Sequence, residues 1–148
     1  MDTQLVEALT LATASGSLVL EIEPGGSHWC RCYLEKDGRV ELGGQPARYV
    51  LNHLVASLEQ SVHQHIGELQ GHQVSWVMTL AAPHCTLYRA IDTGEEILFF
   101  VQDAGTTMIG GLSLTPAQRV RWQQQLNAAI PLVNSDAIGV NGSAEDTT

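Results

Sequence analysis

The sequence predicts an α+β domain, an antiparallel sheet of about five to six strands with a long central helix and two terminal helices. Three observations predict it. After Pro46, the residues Ala47, Val50, Leu51, Leu54, Val55, Leu58, Val62, Ile66 and Leu69 recur three and four apart, which places them on one helical stripe. Strand-length runs at 74–80, 86–91, 96–102 and 108–114 supply a sheet for that stripe to cover. Thr115-Pro116-Ala117-Gln118 then reads as a capping box with proline at the first helical position.

The elements follow in chain order. Leu5, Val6, Leu9 and Ala12 mark a short first helix with Asp2 or Thr3 as its cap, ended by Gly16. Residues 17–23 alternate, with Leu18, Leu20 and Ile22 on one face. Pro24-Gly25-Gly26 turns into a second strand at 28–35, and Lys36-Asp37-Gly38 makes a tight hairpin into Arg39-Val40-Glu41-Leu42. Gly43-Gly44-Gln45 leads into the long helix, which should end between Gly67 and Gly71 because glycine takes the left-handed terminating conformation. The strand at 74–80 is stopped by Pro83, and a hairpin about Asp92-Thr93-Gly94 joins the next two. Ile97, Leu98, Phe99, Phe100 and Val101 are apolar in succession, the pattern of a central strand covered on both faces by helices or by a partner subunit. Asp103-Ala104-Gly105 turns the chain into 108–114. Trp122, Leu126, Ala129 and Ile130 line the inward face of the last helix, and Pro131 stops it. Residues 1–131 thus form one domain, and the polar stretch 132–148 reads as a disordered tail.

Composition narrows the functions. The 148 residues suffice for one proper core. Net charge is −9, and only 7 residues are Lys or Arg, so no basic cluster suits nucleic acid or an anionic membrane. Three cysteines make no disulfide framework, and the first residues lack the charged and apolar segments of a signal peptide. No apolar run approaches the roughly 20 residues that span a bilayer. A reducing cytoplasm is the expected compartment.

Candidate chemistry is sparse. His28, Cys30 and Cys32 alternate onto one face of a strand, and His84 and Cys85 could complete a zinc ligand set. Zinc knuckles use Cys-x₂₋₄-Cys spacing, however, so Cys30, Cys32 and Cys85 read first as small buried hydrophobes. His53, His63 and His65 share one helix, but His63 and His65 stand about 200° apart and cannot share a ligand. No phosphate loop, nucleophile elbow or zinc-protease motif is present. No catalytic residue and no cofactor is predicted. Trp76, Tyr88, Phe99 and Phe100 supply aromatic surface for a partner, because aromatic anchors dominate interfaces. The helical stripe, through Val50, Leu54, Leu58 and Val62, is the other expected interface, pairing two copies of the chain.

Three segments carry a family likeness: the hairpin Tyr33-Leu34-Glu35-Lys36-Asp37-Gly38-Arg39-Val40-Glu41-Leu42, the helix from Pro46, and Phe99 to Leu114 with Gly110-Gly111-Leu112. Together they resemble the roadblock/LC7 domain, which includes the bacterial MglB-type proteins. The resemblance spans roughly 33–130 and implies a non-enzymatic dimer that pairs through its central helix and neighbouring strand. It further implies a scaffold or regulator of a small GTPase or another signalling protein. The order of elements in the N-terminal half is also similar to the small acidic dimeric chaperones of type III secretion, which implies binding of an unfolded segment of a secreted effector.

Overall fold

The computed structural model describes residues 8–25, 28–59, 67–92, 94–102 and 106–140, with the backbone alone for 134–140. Four strands open the chain: β1 (Ala8–Ala12), β2 (Ser17–Ile22), β3 (Trp29–Glu35) and β4 (Arg39–Pro46). Helix α1 (Ala47–Glu59) follows, then β5 (Gly67–Leu69), β6 (His72–Leu80), β7 (Cys85–Ile91), β8 (Glu96–Gln102) and β9 (Thr107–Leu114), and finally α2 (Pro116–Val140). Each strand pairs antiparallel with its sequence neighbour, giving a four-stranded sheet β1-β2-β3-β4 and a five-stranded sheet β5-β6-β7-β8-β9.

This corrects the expected fold. Among the described residues there are two sheets and two helices, where one sheet flanked by a central and two terminal helices was expected. The described part of the expected first helix is strand β1, paired with β2 from Ala8↔Glu21 to Ala12↔Ser17. Leu9 and Leu11 fit the strand because alternate positions face inward: Leu11 is fully buried and Leu9 packs against the core. Leu5, Val6 and the proposed caps lie outside the described residues, as do Val62, Ile66, His63, His65 and the turn at 103–105. The expected helix end at 67–71 is instead the β5–β6 hairpin, turned by Gln70 and Gly71 at positive φ. Pro131 removes one backbone donor, yet α2 continues through it to Val140. Residues 141–148 of the expected tail lie outside the described residues.

The expected loop Gly43-Gly44-Gln45 belongs to β4 and joins the two sheets. Gly44 and Ala81 exchange backbone hydrogen bonds, N–H to carbonyl at 2.7 and 2.9 Å. A Cβ at Gly43 would stand 2.6 Å from the Ala81 carbonyl oxygen, and Gly43 has a φ of 124°, so this approach requires glycine.

Both sheets turn an apolar face to α1 and α2. Leu18, Leu20 and Cys32 of the first sheet, Leu51 and Leu54 of α1, Met78, Leu87 and Phe100 of the second sheet, and Trp122 of α2 meet in one core. Helix α2 starts as the capping box predicts: Gln118 N donates to Thr115 Oγ1 at 3.2 Å and Thr115 N to Gln118 Oε1 at 3.0 Å. It then closes the open edge of the first sheet. Trp122 Nε1 donates to Ala12 O at 2.9 Å and Gln125 Nε2 to Thr10 O at 3.0 Å. Capped edge carbonyls no longer template another strand.

Charge ties the C-terminal end of α1 to the second sheet. Arg89 Nε lies 2.8 Å from Glu96 Oε2, and Arg119 Nε lies 3.2 Å from Glu96 Oε1. Arg119 Nη1 donates to Leu58 O at 2.6 Å, and Arg89 Nη1 donates to Ser57 O. Carbonyls in the last turn of a helix lack intrahelical donors and sit at the negative end of its dipole, so two guanidinium groups complement both. Burial pushes the Glu96 carboxyl up and the Arg89 guanidinium down, while their pairing opposes each shift.

Candidate protein-binding face

The second sheet buries one face in the core; its other face is apolar as well. β8 shows why, since Leu98 and Phe100 point into the core while Ile97, Phe99 and Val101 point away from it. Phe99 and Val101 form a second apolar cluster with Val74 and Ala90, flanked by Leu69, Tyr88, Ile97 and Met108. Every member of that cluster comes from β5–β9. Among the described residues no helix contributes to it.

Strand register lines up the aromatic residues of this face. Trp76 lies opposite Tyr88, Tyr88 opposite Phe99, and Phe99 opposite Gly111. Directly opposed residues share a face, so three aromatic side chains and one glycine form a row across β6, β7, β8 and β9. The row falls from exposed to buried, with Trp76 45% exposed, Tyr88 intermediate and Phe99 5% exposed. A bulge in β6 between Trp76 and Met78 turns the strand at the exposed end.

Side chains hold Trp76 in place. Its Nε1 donates to Thr79 Oγ1 at 3.0 Å. His53 meets its ring edge-on, with centroids 5.5 Å apart and planes at 86°. Tyr49 packs on His53 at 4.1 Å, and His53 Nδ1 donates to the Tyr49 carbonyl at 2.7 Å. Thr79 N donates to Tyr49 Oη at 3.3 Å, and Gln45 Nε2 donates to Thr79 O at 3.2 Å. The last two bonds satisfy backbone groups of β6 that a new strand would need. The result is a rigid aromatic ledge where α1 meets the edge of the second sheet.

At the other end of β6, His72 Nδ1 is 2.9 Å from Asp92 Oδ1 and the His72 ring lies 5.6 Å from that of Phe99. The hydrogen bond from His72 holds the Asp92 carboxyl below the usual carboxylate range.

The predicted interface residues divide between the two faces. Trp76, Tyr88 and Phe99 come together on the outer face. Phe100 faces inward, and Val50, Leu54 and Leu58 are buried in the core by the chain's own sheets. Val62 lies outside the described residues. Tyr49, His53 and Thr79 are additional members of the ledge. Their one trace in the sequence is the four-residue spacing of Tyr49 and His53, which places the two rings together on a helix.

The candidate metal ligands do not assemble. His28, Cys30, Cys32 and Cys85 are buried and His84 is exposed. Among the described residues, no three His, Cys, Asp or Glu side chains are grouped to hold a metal ion. Burial pushes the Cys85 thiol up to about 12, which leaves it protonated and poorly nucleophilic at neutral pH. The hydrogen bond with Cys30, helped by burial, pushes the Cys32 thiol well up. Among the described residues no helix is long and apolar enough to cross a membrane. No protein-family model, no curated protein and no solved structure matches the chain.

Proposed function

We propose that the chain is a non-enzymatic, dimeric protein-binding module that docks through the outer face of its second sheet. The observation that carries this reading is the held, exposed Trp76 at the head of the Trp76–Tyr88–Phe99 row. A partner that covers an immobilised tryptophan gains large apolar contact without ordering a mobile side chain, a cost of about 0.5–1.5 kcal/mol per residue otherwise. Aromatic residues at the centre of a patch are the usual energetic anchors of interfaces.

The occupied backbone groups of β1 and of Thr79 in β6 favour a folded partner over an unfolded segment. An extended peptide binds by adding a strand to an open edge, and its affinity comes from main-chain hydrogen bonds. Here Trp122 and Gln125 occupy the carbonyls of β1, and Tyr49 and Gln45 occupy Thr79 in β6. Trp76, 45% exposed beside the buried Val74, Ala90, Phe99 and Val101, offers an apolar anchor suited to a folded protein such as a signalling regulator's target.

A photo-crosslinking amino acid placed at Trp76, with Tyr33 on the first sheet as control, tests the reading in cells that express the chain. Discrete adducts from position 76 and none from position 33 are expected. Adducts from position 33 alone, or from neither position, would overturn it.

A further inference from the structure

We infer that Lys36 is the gate on the outer edge of β9, and that its charge stops this strand from pairing with the β9 of a second copy. The gate is separate from the docking face above, since it lies at an edge of the second sheet and not on its outer side.

Each sheet ends in two edge strands, and an unguarded edge is a template for another strand. Three of the four edges are managed in other ways. β1 gives two carbonyls to Trp122 and Gln125 of α2. β4 is bridged to Ala81 through Gly44 and carries Arg39 and Glu41, both exposed. β5 is only 3 residues long and includes the exposed Glu68. β9 differs from all of them. It runs for 8 residues without a charged side chain, and among the described residues no strand pairs with it on the side away from β8.

The charge that β9 lacks arrives from the first sheet. Lys36 Nζ donates to the Gly111 carbonyl at 3.0 Å, from 75 positions away in sequence. The β3–β4 turn aims it there: Lys36 N donates to Gly38 O at 2.9 Å, with Asp37 and Gly38 at positive φ. Small residues clear the path. A Cβ at Gly16 would stand 3.1 Å from Lys36 Cβ and 3.2 Å from Leu112 Cδ2, and one at Gly110 would stand 2.9 Å from Leu34 Cδ2. An incoming strand must displace the ammonium from Gly111 and strip water from it, a cost that a neutral side chain does not impose. Lys36 is the only lysine of the chain, so a single amine supplies the guard.

Acetylating the native chain with an N-hydroxysuccinimide ester tests the gate without altering the core, because the reagent meets one side-chain amine and the α-amine. Lys36→Arg, treated identically, keeps the charge at position 36 and isolates the effect of the α-amine. Acetylation makes the net charge of −9 one unit more negative, so charge repulsion by itself would slow association. The gate predicts the reverse. Light scattering and thioflavin fluorescence should rise about tenfold faster in the acetylated native chain, as for an exposed, uncharged edge. Amide exchange should show new protection at 107–114, and the treated Lys36→Arg chain should match the untreated protein. An acetylated native chain that does not assemble, equal assembly of the treated Lys36→Arg chain, or new protection confined to other strands overturns the inference.

Discussion

The two sheets solve the same problem in opposite ways. Each buries one face in the common core and must present the other to something else. The outer face of the first sheet is laced with charge. Arg31 bridges Glu23 at 3.0 Å and Glu41 at 3.4 Å, while Arg39 bridges Glu35 at 2.9 Å and Glu21 at 3.3 Å and covers the Tyr33 ring at 4.4 Å. Water satisfies such a face without help. The outer face of the second sheet carries Trp76, Tyr88, Phe99, Val101 and Met108 in the positions where the first sheet has its carboxylates and guanidiniums. Strand alternation thus reads hydrophobic-in, polar-out on one sheet and apolar on both sides on the other. On the second sheet Val74, Ala90, Phe99 and Val101 are already buried, and the large apolar side chain left exposed in the row is Trp76.

The comparison can be broken or sharpened by substitution. The largest effect belongs to Glu96, whose carboxylate holds the second sheet to both helices and is 7% exposed at its side chain. Glu96→Gln should cost about 3–5 kcal/mol in denaturant unfolding, because it removes one charge of an ion pair buried between the sheet and the helices. A loss below ~1 kcal/mol would mean that the network does not join the layers.

Leu54 and Trp76 were both legible as interface residues, and they should now behave in opposite ways. Leu54→Ala should cost about 2–5 kcal/mol of stability, as a core truncation does. Trp76→Ala should cost about 1 kcal/mol or less, as for most surface positions, and should abolish association at concentrations where the unmodified chain is dimeric. Chemical denaturation and sedimentation of the same two variants separate these effects.

A smaller, pH-dependent difference comes from Cys85 behind the apolar sheet. Its folded-state value of about 12 lies above the ordinary 9.0 of a free thiol. The folded chain therefore keeps this proton while the unfolded chain releases it, so the contribution is complete below pH 9 and lost as pH rises toward 12. Cys85→Val should flatten the alkaline fall in stability over that window, read from unfolding midpoints at successive pH values. The smallest effect is expected on the charged face, where Arg39→Ala should leave both the unfolding midpoint and the association constant unchanged within error. Loss of association in that variant would move the interface to the first sheet.

Much of this architecture is legible in the residues, and its failures have identifiable causes. Alternation in 17–22 and 29–35, the Asp37-Gly38 turn and the capping box at Thr115 are local signals, and local geometry satisfied them. β1 was obscured because Leu5, Val6 and Leu9 have helical spacing, whereas Leu9 and Leu11 have strand spacing, and pairing with β2 decides between them. Gly43-Gly44 looks the same in a loop and in a strand until the Ala81 carbonyl comes within 2.7 Å. The stripe of α1 correctly located a buried surface, but periodicity does not say whose atoms bury it; here they belong to the chain's own two sheets. The outer row was half visible. The residue types of Trp76, Tyr88 and Phe99 suggested anchors, but the register that aligns them depends on a bulge in β6, and Tyr49 reaches Thr79 from 30 positions away.

The most direct test uses the three tryptophans as reporters of three environments: Trp29 on the first sheet, Trp76 on the ledge and Trp122 in the core. With fluorotryptophan incorporated, fluorine spectra recorded across a concentration series should show the Trp76 resonance alone shifting and broadening as copies associate. A stationary Trp76 resonance beside a moving Trp29 would contradict the account.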